Sequence, residues 1–202
     1  MANFSEKSRI AYDKIADCYD DTPEGKFTRR HKSLLLSNII LQDGMHVLDV
    51  ACGNGTLLAD MKKQKDIIGY GVDVSEQMIK NAVRNNPGME FHVSGCEALP
   101  FPSGSMDVIT VSAAYHHFPD VAAFAKEAKR VLKPGGEIYI SEVYFNALLR
   151  LLCNPFVPLS KSGDVKFYSP GEIANNFTRF GFEEICVKIS GQVQIIQMRL
   201  PK

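Results

Sequence analysis

Apolar and polar positions fall along this chain in blocks whose rhythm changes near residue 45. Before that point two helical stretches are predicted: Ile10, Ile15 and Ala16 give the first a partial apolar face, and Leu34, Leu35, Leu36, Ile39 and Ile40 give the second a strong one. Pro23 and Gly25 stand between them as the expected break. From Met45 to Val50 the apolar run is continuous, which suits a strand covered on both faces, as in a parallel sheet. A helix near 56–64, a strand near 68–73, a helix at 75–85 and strands at 89–94 and 106–112 follow. A helix from Pro119 should stop at Lys133-Pro134-Gly135-Gly136, where proline and two glycines forbid continuation, and Glu137 to Val143 is a fifth strand.

The last quarter reads differently. Ser169-Pro170-Gly171-Glu172 supplies an N-cap, a proline at the first helical position and a glutamate at the third, and Gly181 ends the helix it starts. Phe182 to Ser190 and Gln192 to Leu200 are β-rich runs joined around Gly191 with no helix between them, which predicts an antiparallel hairpin. Together these elements predict an α/β fold, a doubly wound seven-stranded sheet, mostly parallel, with a C-terminal antiparallel hairpin.

The most informative stretch is Val47 to Leu58, where a buried strand runs into Gly53 and Gly55 and then a helix. Two glycines remove Cβ atoms where the chain must turn, so a ligand can approach the main chain and meet the free N–H groups that open the helix. Asp73 ends the next strand 18 residues beyond Gly55. In nucleotide-binding sheets an acid at about that interval accepts hydrogen bonds from ribose hydroxyls. A plainer role for Asp73, capping the next helix, falls more naturally to Ser75.

Lys plus Arg equals Asp plus Glu, 23 against 23, so a strongly basic surface is absent on average and nucleic acid is not the expected partner. Cys18, Cys52, Cys96, Cys153 and Cys186 are scattered and odd in number, which suggests reduced thiols rather than a disulfide frame or zinc knot. No apolar core of signal-peptide length opens the chain and no apolar run reaches a membrane span, so a cytoplasmic protein without stable membrane insertion is expected.

Six motifs carry a resemblance: Tyr12 to Asp20, the Asp49 to Gly55 turn, Gly71 to Ser75, Glu97-Ala98-Leu99-Pro100-Phe101, Asp107-Val108-Ile109, and Arg130 to Gly136. In this order and spacing the chain resembles the class I S-adenosylmethionine-dependent methyltransferases, and among them the small-molecule branch that includes the quinone C-methyltransferases. The resemblance implies a Rossmann-like sheet and one methyltransferase domain over 1–202. Its parts would be an N-terminal helical lid at 1–42, a cofactor-binding core at 43–143, a substrate-cover insertion at 144–170, and a helix and hairpin at 171–202. The implied cofactor is S-adenosyl-L-methionine, with S-adenosyl-L-homocysteine as product.

By this resemblance Asp49, Gly53, Asn54 and Gly55 lie under the methionine part, Asp73 holds the ribose hydroxyls, and Val74 and Met78 face adenine. Gly95 and Cys96 take the positions after the third strand that meet the adenine edge, and because Gly95 has no side chain, that contact falls to backbone. Ser112 completes the set. Tyr12 and Tyr19 belong to the lid or, more plainly, pack its helix onto the domain. Arg29 and Arg30 either bind the cofactor carboxylate or form a solvated helix face. Ala51 stands where many relatives have glycine.

Methyl transfer is an in-line displacement that demands alignment and exclusion of water. His116 and His117 follow the fourth strand, at the sheet end where such folds bind ligands. Either is a candidate base for an acceptor proton, and either is equally a packing or capping residue. No third ligand stands near them in sequence, so no metal site is expected. His31, His46 and His92 have no partner that the sequence identifies. The Asn/Asp-Pro-Pro-aromatic tetrad of amino-methylating enzymes is absent there, which lowers nucleic-acid and protein-amide acceptors. The apolar stretch Ala147 to Leu159, followed by a polar, mobile Ser160 to Lys166, is a substrate cover for an apolar or aromatic acceptor, or else a dimer contact or core filler. Expected partners are a small-molecule acceptor and, at most, a second copy of the chain, as monomer or homodimer. The rivals are a non-catalytic S-adenosylmethionine-binding or interaction protein on the same fold and a nicotinamide-dependent oxidoreductase.

Overall fold

The computed structural model describes residues 4–202, so the first three residues of the 1–42 segment lie outside the described part. Helix α1 (Phe4–Ile15) leads through a 3-10 turn at Ala16–Asp21 into α2 (Pro23–Leu36). Pro23 and Gly25 therefore do not separate two helices. Pro23 opens α2, where its missing N–H is no loss, and the Gly25 N–H donates to the Thr22 hydroxyl that caps the helix, at 3.0 Å. A Cβ on Gly25 would sit 1.9 Å from the Tyr19 carbonyl oxygen, so this glycine lets the turn fold back on the helix.

Five parallel strands and three helices follow. Strands β1 (His46–Val50), β2 (Ile68–Asp73), β3 (Glu90–Val93), β4 (Met106–Ser112) and β5 (Leu132–Val143) alternate with α3 (Thr56–Gln64), α4 (Glu76–Asn85) and α5 (Val121–Val131), with no helix between β3 and β4. After α6 (Ala147–Cys153) and α7 (Pro170–Thr178), strands β6 (Glu183–Ser190) and β7 (Val193–Arg199) form the hairpin. Among the described residues the sheet has seven strands in the order β3-β2-β1-β4-β5-β7-β6. The first five are parallel, and β7 runs antiparallel to both β5 and β6.

Strand alternation sorts the core into two layers. Leu48, Val50, Ile109, Val111, Ile138 and Ile140 pack on one face with Phe124 of α5 and Phe177 of α7. Val47, Val108 and Tyr139 pack on the other with Leu35, Leu57, Leu58 and Met61. Both faces are covered, which is why these strands carry apolar residues at consecutive positions. Removing a ring such as Phe177, fully buried within the first layer, should cost about 3–5 kcal/mol.

One boundary departs from expectation. Proline and glycine do stop α5, but Lys133 to Gly136 are strand rather than turn, because the Gly135 N–H donates to Leu200 and the Gly136 carbonyl accepts from Leu200. A register shift on β4 between Met106 and Val108 absorbs the irregularity, and Lys133 closes onto Asp107 at 2.7 Å. No helix among the described residues is long and apolar enough to cross a membrane.

Candidate active site

The carboxyl ends of β1, β2 and β4 open into a partly enclosed cleft. Two residues at its floor, Ala51 after β1 and Ala113 after β4, have left-handed backbones, with φ of 59° and 52°. Such conformations in residues with a Cβ carry strain, and here they turn the chain sharply beneath the ligand space.

Most of the residues named from sequence come together around this cleft: Tyr12, Tyr19, Gly53, Asp73, Val74, Met78, Gly95, Cys96, Ser112 and His117. The Ser112 hydroxyl is buried there without a hydrogen-bond partner among the described residues, a polar group open to a ligand. Asp73 accepts from the Gly53 N–H at 2.8 Å and the Ser75 N–H at 2.9 Å, and burial still pushes its carboxyl above the ordinary range.

Three residues of the first strand and its glycine turn do not line the cleft. Asp49 lies beneath it, 2% exposed, accepting from the Thr110 hydroxyl at 2.7 Å, and burial pushes it up to about 7. Gly55, at φ 77°, caps α3 and packs against Asn86 and Phe91. Asn54 donates to Asp20 at 2.8 Å and so fastens the N-terminal segment to the glycine turn. Asp13 and Asp17 act alike: Asp13 accepts from the Ser75 hydroxyl at 2.6 Å, and Asp17 from Asn81 at 3.1 Å. These latches press Tyr12 and Tyr19 over the cleft.

The glycine turn differs from expectation in one respect. Three of its N–H groups are occupied: Gly53 donates to Asp73, Gly55 to the Cys52 carbonyl and Thr56 to the Asn54 side chain. No lysine or arginine lines the cleft among the described residues, and Asp73 and Glu97 do. A pyrophosphate would find no cation there and would face two acids, whereas a cationic ligand meets carboxylates beside apolar surface.

Glu97 enters the sequence reading only as the first residue of a motif, not as a ligand contact, yet it lines the cleft. Its Oε2 stands 2.7 Å from where a Cβ on Gly95 would be, so its carboxylate fills the space that a side chain at 95 would take.

A second, more open hollow adjoins the cleft and shares Tyr12, Tyr19, Ala113 and His117 with it. Phe27, Phe145 and Phe167 give it aromatic walls, and His116, His117 and Asp164 a polar corner. Segment 144–168 contributes through its flanks rather than through its apolar helix. No residue of α6 is buried, and Leu148, Leu151 and Leu152 are 68%, 72% and 60% exposed. Ser160 to Lys166 is tied down rather than loose: the His116 carbonyl accepts from the Val165 N–H at 2.7 Å, and Ser8 donates to the Ser162 carbonyl at 2.9 Å.

His116 and His117 occupy a 3-10 turn after β4. Glu142, a fully buried carboxylate on β5, meets His116 Nδ1 at 2.8 Å and accepts from its backbone N–H at 3.2 Å. Burial presses the His116 imidazole down, but the Glu142 charge and hydrogen bond outweigh it and raise the net value. His117 is lowered by burial and by its charged neighbour, and so stays neutral near pH 7. The absence of a nearby third donor, which argued against a metal in the sequence, does not survive folding, because the insertion brings Asp164 to the histidine pair.

The remaining candidates lie elsewhere. Arg29 donates to the Asp20 carbonyl and Arg30 to the Ser190 carbonyl, both exposed and outside the cleft. His46 stacks on Tyr70, His92 pairs with Glu90, and His31 is buried against Phe27.

A family described as a methyltransferase domain matches residues 48–140. A demethylmenaquinone methyltransferase of Chlorobaculum parvum is 41% identical over 96 residues, 48% of this chain and 40% of that one. Another, of Symbiobacterium thermophilum, is 28% identical over 214 residues, covering 87% of this chain and 84% of that one. Among solved structures, a chain from a Haloferax volcanii complex that contains a methyltransferase activator superposes with a TM-score of 0.82 at 20% identity, over 95% of this chain and 98% of that one. The matched part spans only 36%, 40% and 33% of the length of three curated relatives.

Proposed function

The chain belongs to the class I S-adenosylmethionine-dependent methyltransferases, and from that premise we propose that it methylates a small apolar or aromatic acceptor held in the second hollow. The observation that carries this reading is the character of the cleft: no cation on its walls, occupied N–H groups at its turn, and two buried acids at and beneath its floor. That environment favours a sulfonium and a free ammonium and disfavours the pyrophosphate of a nicotinamide cofactor.

S-adenosylmethionine, when bound, supplies an electrophilic methyl group on a sulfonium. The chain's residues then have separable tasks. Asp73 accepts from the ribose hydroxyls, Glu97 and the backbone of Gly95 and Cys96 meet the adenine edge, Val74 and Met78 cover its face, and Ser112 offers its unpaired hydroxyl. Tyr12 and Tyr19, latched through Asp13, Asp17 and Asp20, exclude water from the boundary between the two hollows. His117 Nδ1 takes the acceptor proton, which its neutral state permits.

The aromatic walls and the relatives named as demethylmenaquinone methyltransferases support a hydroxylated aromatic acceptor of the quinol type. The same reading takes the protein as cytoplasmic and as a monomer or homodimer. Calorimetric titration with S-adenosylmethionine, S-adenosylhomocysteine and NADH tests it. The first two should bind at about micromolar Kd or tighter, near −8 kcal/mol, and NADH should not. Binding of NADH without S-adenosylhomocysteine would overturn the reading. A methyl-labelled cofactor with a panel of quinols, phenols and thiols then identifies the acceptor.

A further inference from the structure

The polar corner of the second hollow has a geometry that a simple histidine–carboxylate pair does not explain. The His116 and His117 rings lie 4.1 Å apart between centroids, tilted by 40°. Asp164 Oδ1 stands 3.0 Å from His117 Nδ1 and 3.7 Å from His116 Nε2, and the three donor atoms lie within 4.8 Å of one another. Despite the short distance, His117 Nδ1 is a buried nitrogen with no hydrogen-bond partner among the described residues. Its hydrogen-bonding direction does not aim at the carboxylate. Hydrogen-bond partners point along the line between them, whereas ligands of a shared centre crowd together and point past one another at that centre.

The far side of each donor is also fixed. His116 Nδ1 is held by the buried Glu142 at 2.8 Å, which leaves Nε2 facing Asp164. His117 Nε2 is held by the Tyr12 hydroxyl at 3.0 Å, which leaves Nδ1 facing the same carboxylate. Asp164 Oδ2 accepts from the Ser162 hydroxyl at 3.0 Å, which leaves Oδ1 open. Outer partners of this kind set the tautomer and orientation of metal-binding imidazoles and carboxylates.

We infer that His116 Nε2, His117 Nδ1 and Asp164 Oδ1 form a three-donor site for a divalent transition cation. Two imidazoles and one carboxylate suit cations of the iron-to-zinc series and not magnesium or calcium, which prefer oxygen donors. With metal–ligand distances of about 2.0–2.2 Å, donors around one ion stand about 3.0–3.4 Å apart; the two Asp164 separations, 3.0 and 3.7 Å, lie near this, and the two imidazole nitrogens, within 4.8 Å of each other, would close onto the ion. Three protein donors leave open positions, and these face the aromatic hollow beside the cofactor cleft. An acceptor hydroxyl bound to the cation would be acidified and would lose its proton to solvent water, and the resulting oxyanion would take the methyl group as the thioether leaves, so that His117 Nδ1 serves as a ligand rather than as the base. This role rests on the methyltransferase reading; the site itself does not.

Chelator-treated protein titrated with Co²⁺, followed by visible absorption and calorimetry, tests the site. One Co²⁺ per chain should bind at about micromolar Kd without a thiolate-to-cobalt band, and Zn²⁺ should displace it. Asp164→Asn should weaken binding about tenfold or more, His117→Ala should abolish it, and His92→Ala, at an unrelated His–Glu pair, should leave it unchanged. Retained S-adenosylhomocysteine binding by Asp164→Asn would show that the fold is intact. Absence of Co²⁺ binding, a thiolate spectrum, or binding that survives both substitutions would overturn the inference. If the wild type binds Co²⁺ but not S-adenosylhomocysteine, the metal site stands and the methyltransferase reading falls.

Discussion

Tyr12 and His117, 105 residues apart in the chain, meet at 3.0 Å between the phenol oxygen and Nε2, with their rings edge-on at 5.6 Å. This contact joins the N-terminal segment to the polar corner. Burial raises the Tyr12 phenol well above its ordinary value, so it stays neutral and bonds without adding charge. Tyr12→Phe leaves a buried ring nitrogen unpaired and should lower stability by about 1–2 kcal/mol. Turnover with labelled cofactor should fall about tenfold, more than affinity for S-adenosylhomocysteine. Urea denaturation and initial rates check the two effects.

Asp73 serves both the turn and the ligand. Asp73→Ala should weaken S-adenosylhomocysteine binding at least about 30-fold, ~2 kcal/mol, through loss of charged hydrogen bonds. Asp73→Asn, which keeps one acceptor oxygen, should lose less. Equal affinity in wild type and Asp73→Ala by calorimetry would remove Asp73 from the ligand.

Asp49 gives a pH dependence of definite sign. The folded protein keeps this proton up to about pH 7, and the unfolded chain loses it near 3.8. The folded state therefore binds more protons in that window, so the contribution of Asp49 to stability falls as pH rises from about 4 to 7 and is level above, by up to ~1.4 kcal/mol per pH unit. The difference in urea midpoint between wild type and Asp49→Asn, measured from pH 5 to 8, should follow this slope. A cation bound above Asp49 favours its ionised form, so cofactor binding at pH 6 should release protons, visible as a buffer-dependent heat.

The α6 side chains make a negative prediction. Leu148, Leu151 and Leu152 face outward, so replacing all three with glutamine, also a good helix former, should shift stability by no more than about 0.5 kcal/mol. A loss of several kcal/mol in urea would mean that they pack against the protein after all.

Much of this architecture is written in local pattern. Helix α3 occupies 56–64 as predicted, because Gly55 with its left-handed φ starts it and the apolar positions Leu57, Leu58 and Met61 recur on one face. The continuous run into Val50 signals coverage on both faces, and the cleft follows from the glycine turn and Asp73. The parts that escape depend on partners far away in sequence. Lys133 to Gly136 look like a turn until Leu200 pairs with them. Glu142 looks like an ordinary strand residue until His116 folds onto it, and Asp164 gains its meaning only when the insertion closes over the histidines. The apolar α6 misleads because hydrophobicity alone does not say which way a short helix faces.

The buried Gln194 on β7 donates through its side-chain amide to the Val143 carbonyl at 2.9 Å and the Tyr168 carbonyl at 2.8 Å. One side chain thus clasps both roots of the segment that carries Phe145, Asp164 and Phe167. That segment is a cassette with a closed base. A loop of different length or composition between the same roots would leave the sheet and cofactor cleft undisturbed while replacing the acceptor walls and the carboxylate at the histidines together. Substrate preference and polar chemistry would therefore change hands in a single exchange, and the residues to preserve in any such graft are Val143, Tyr168 and Gln194.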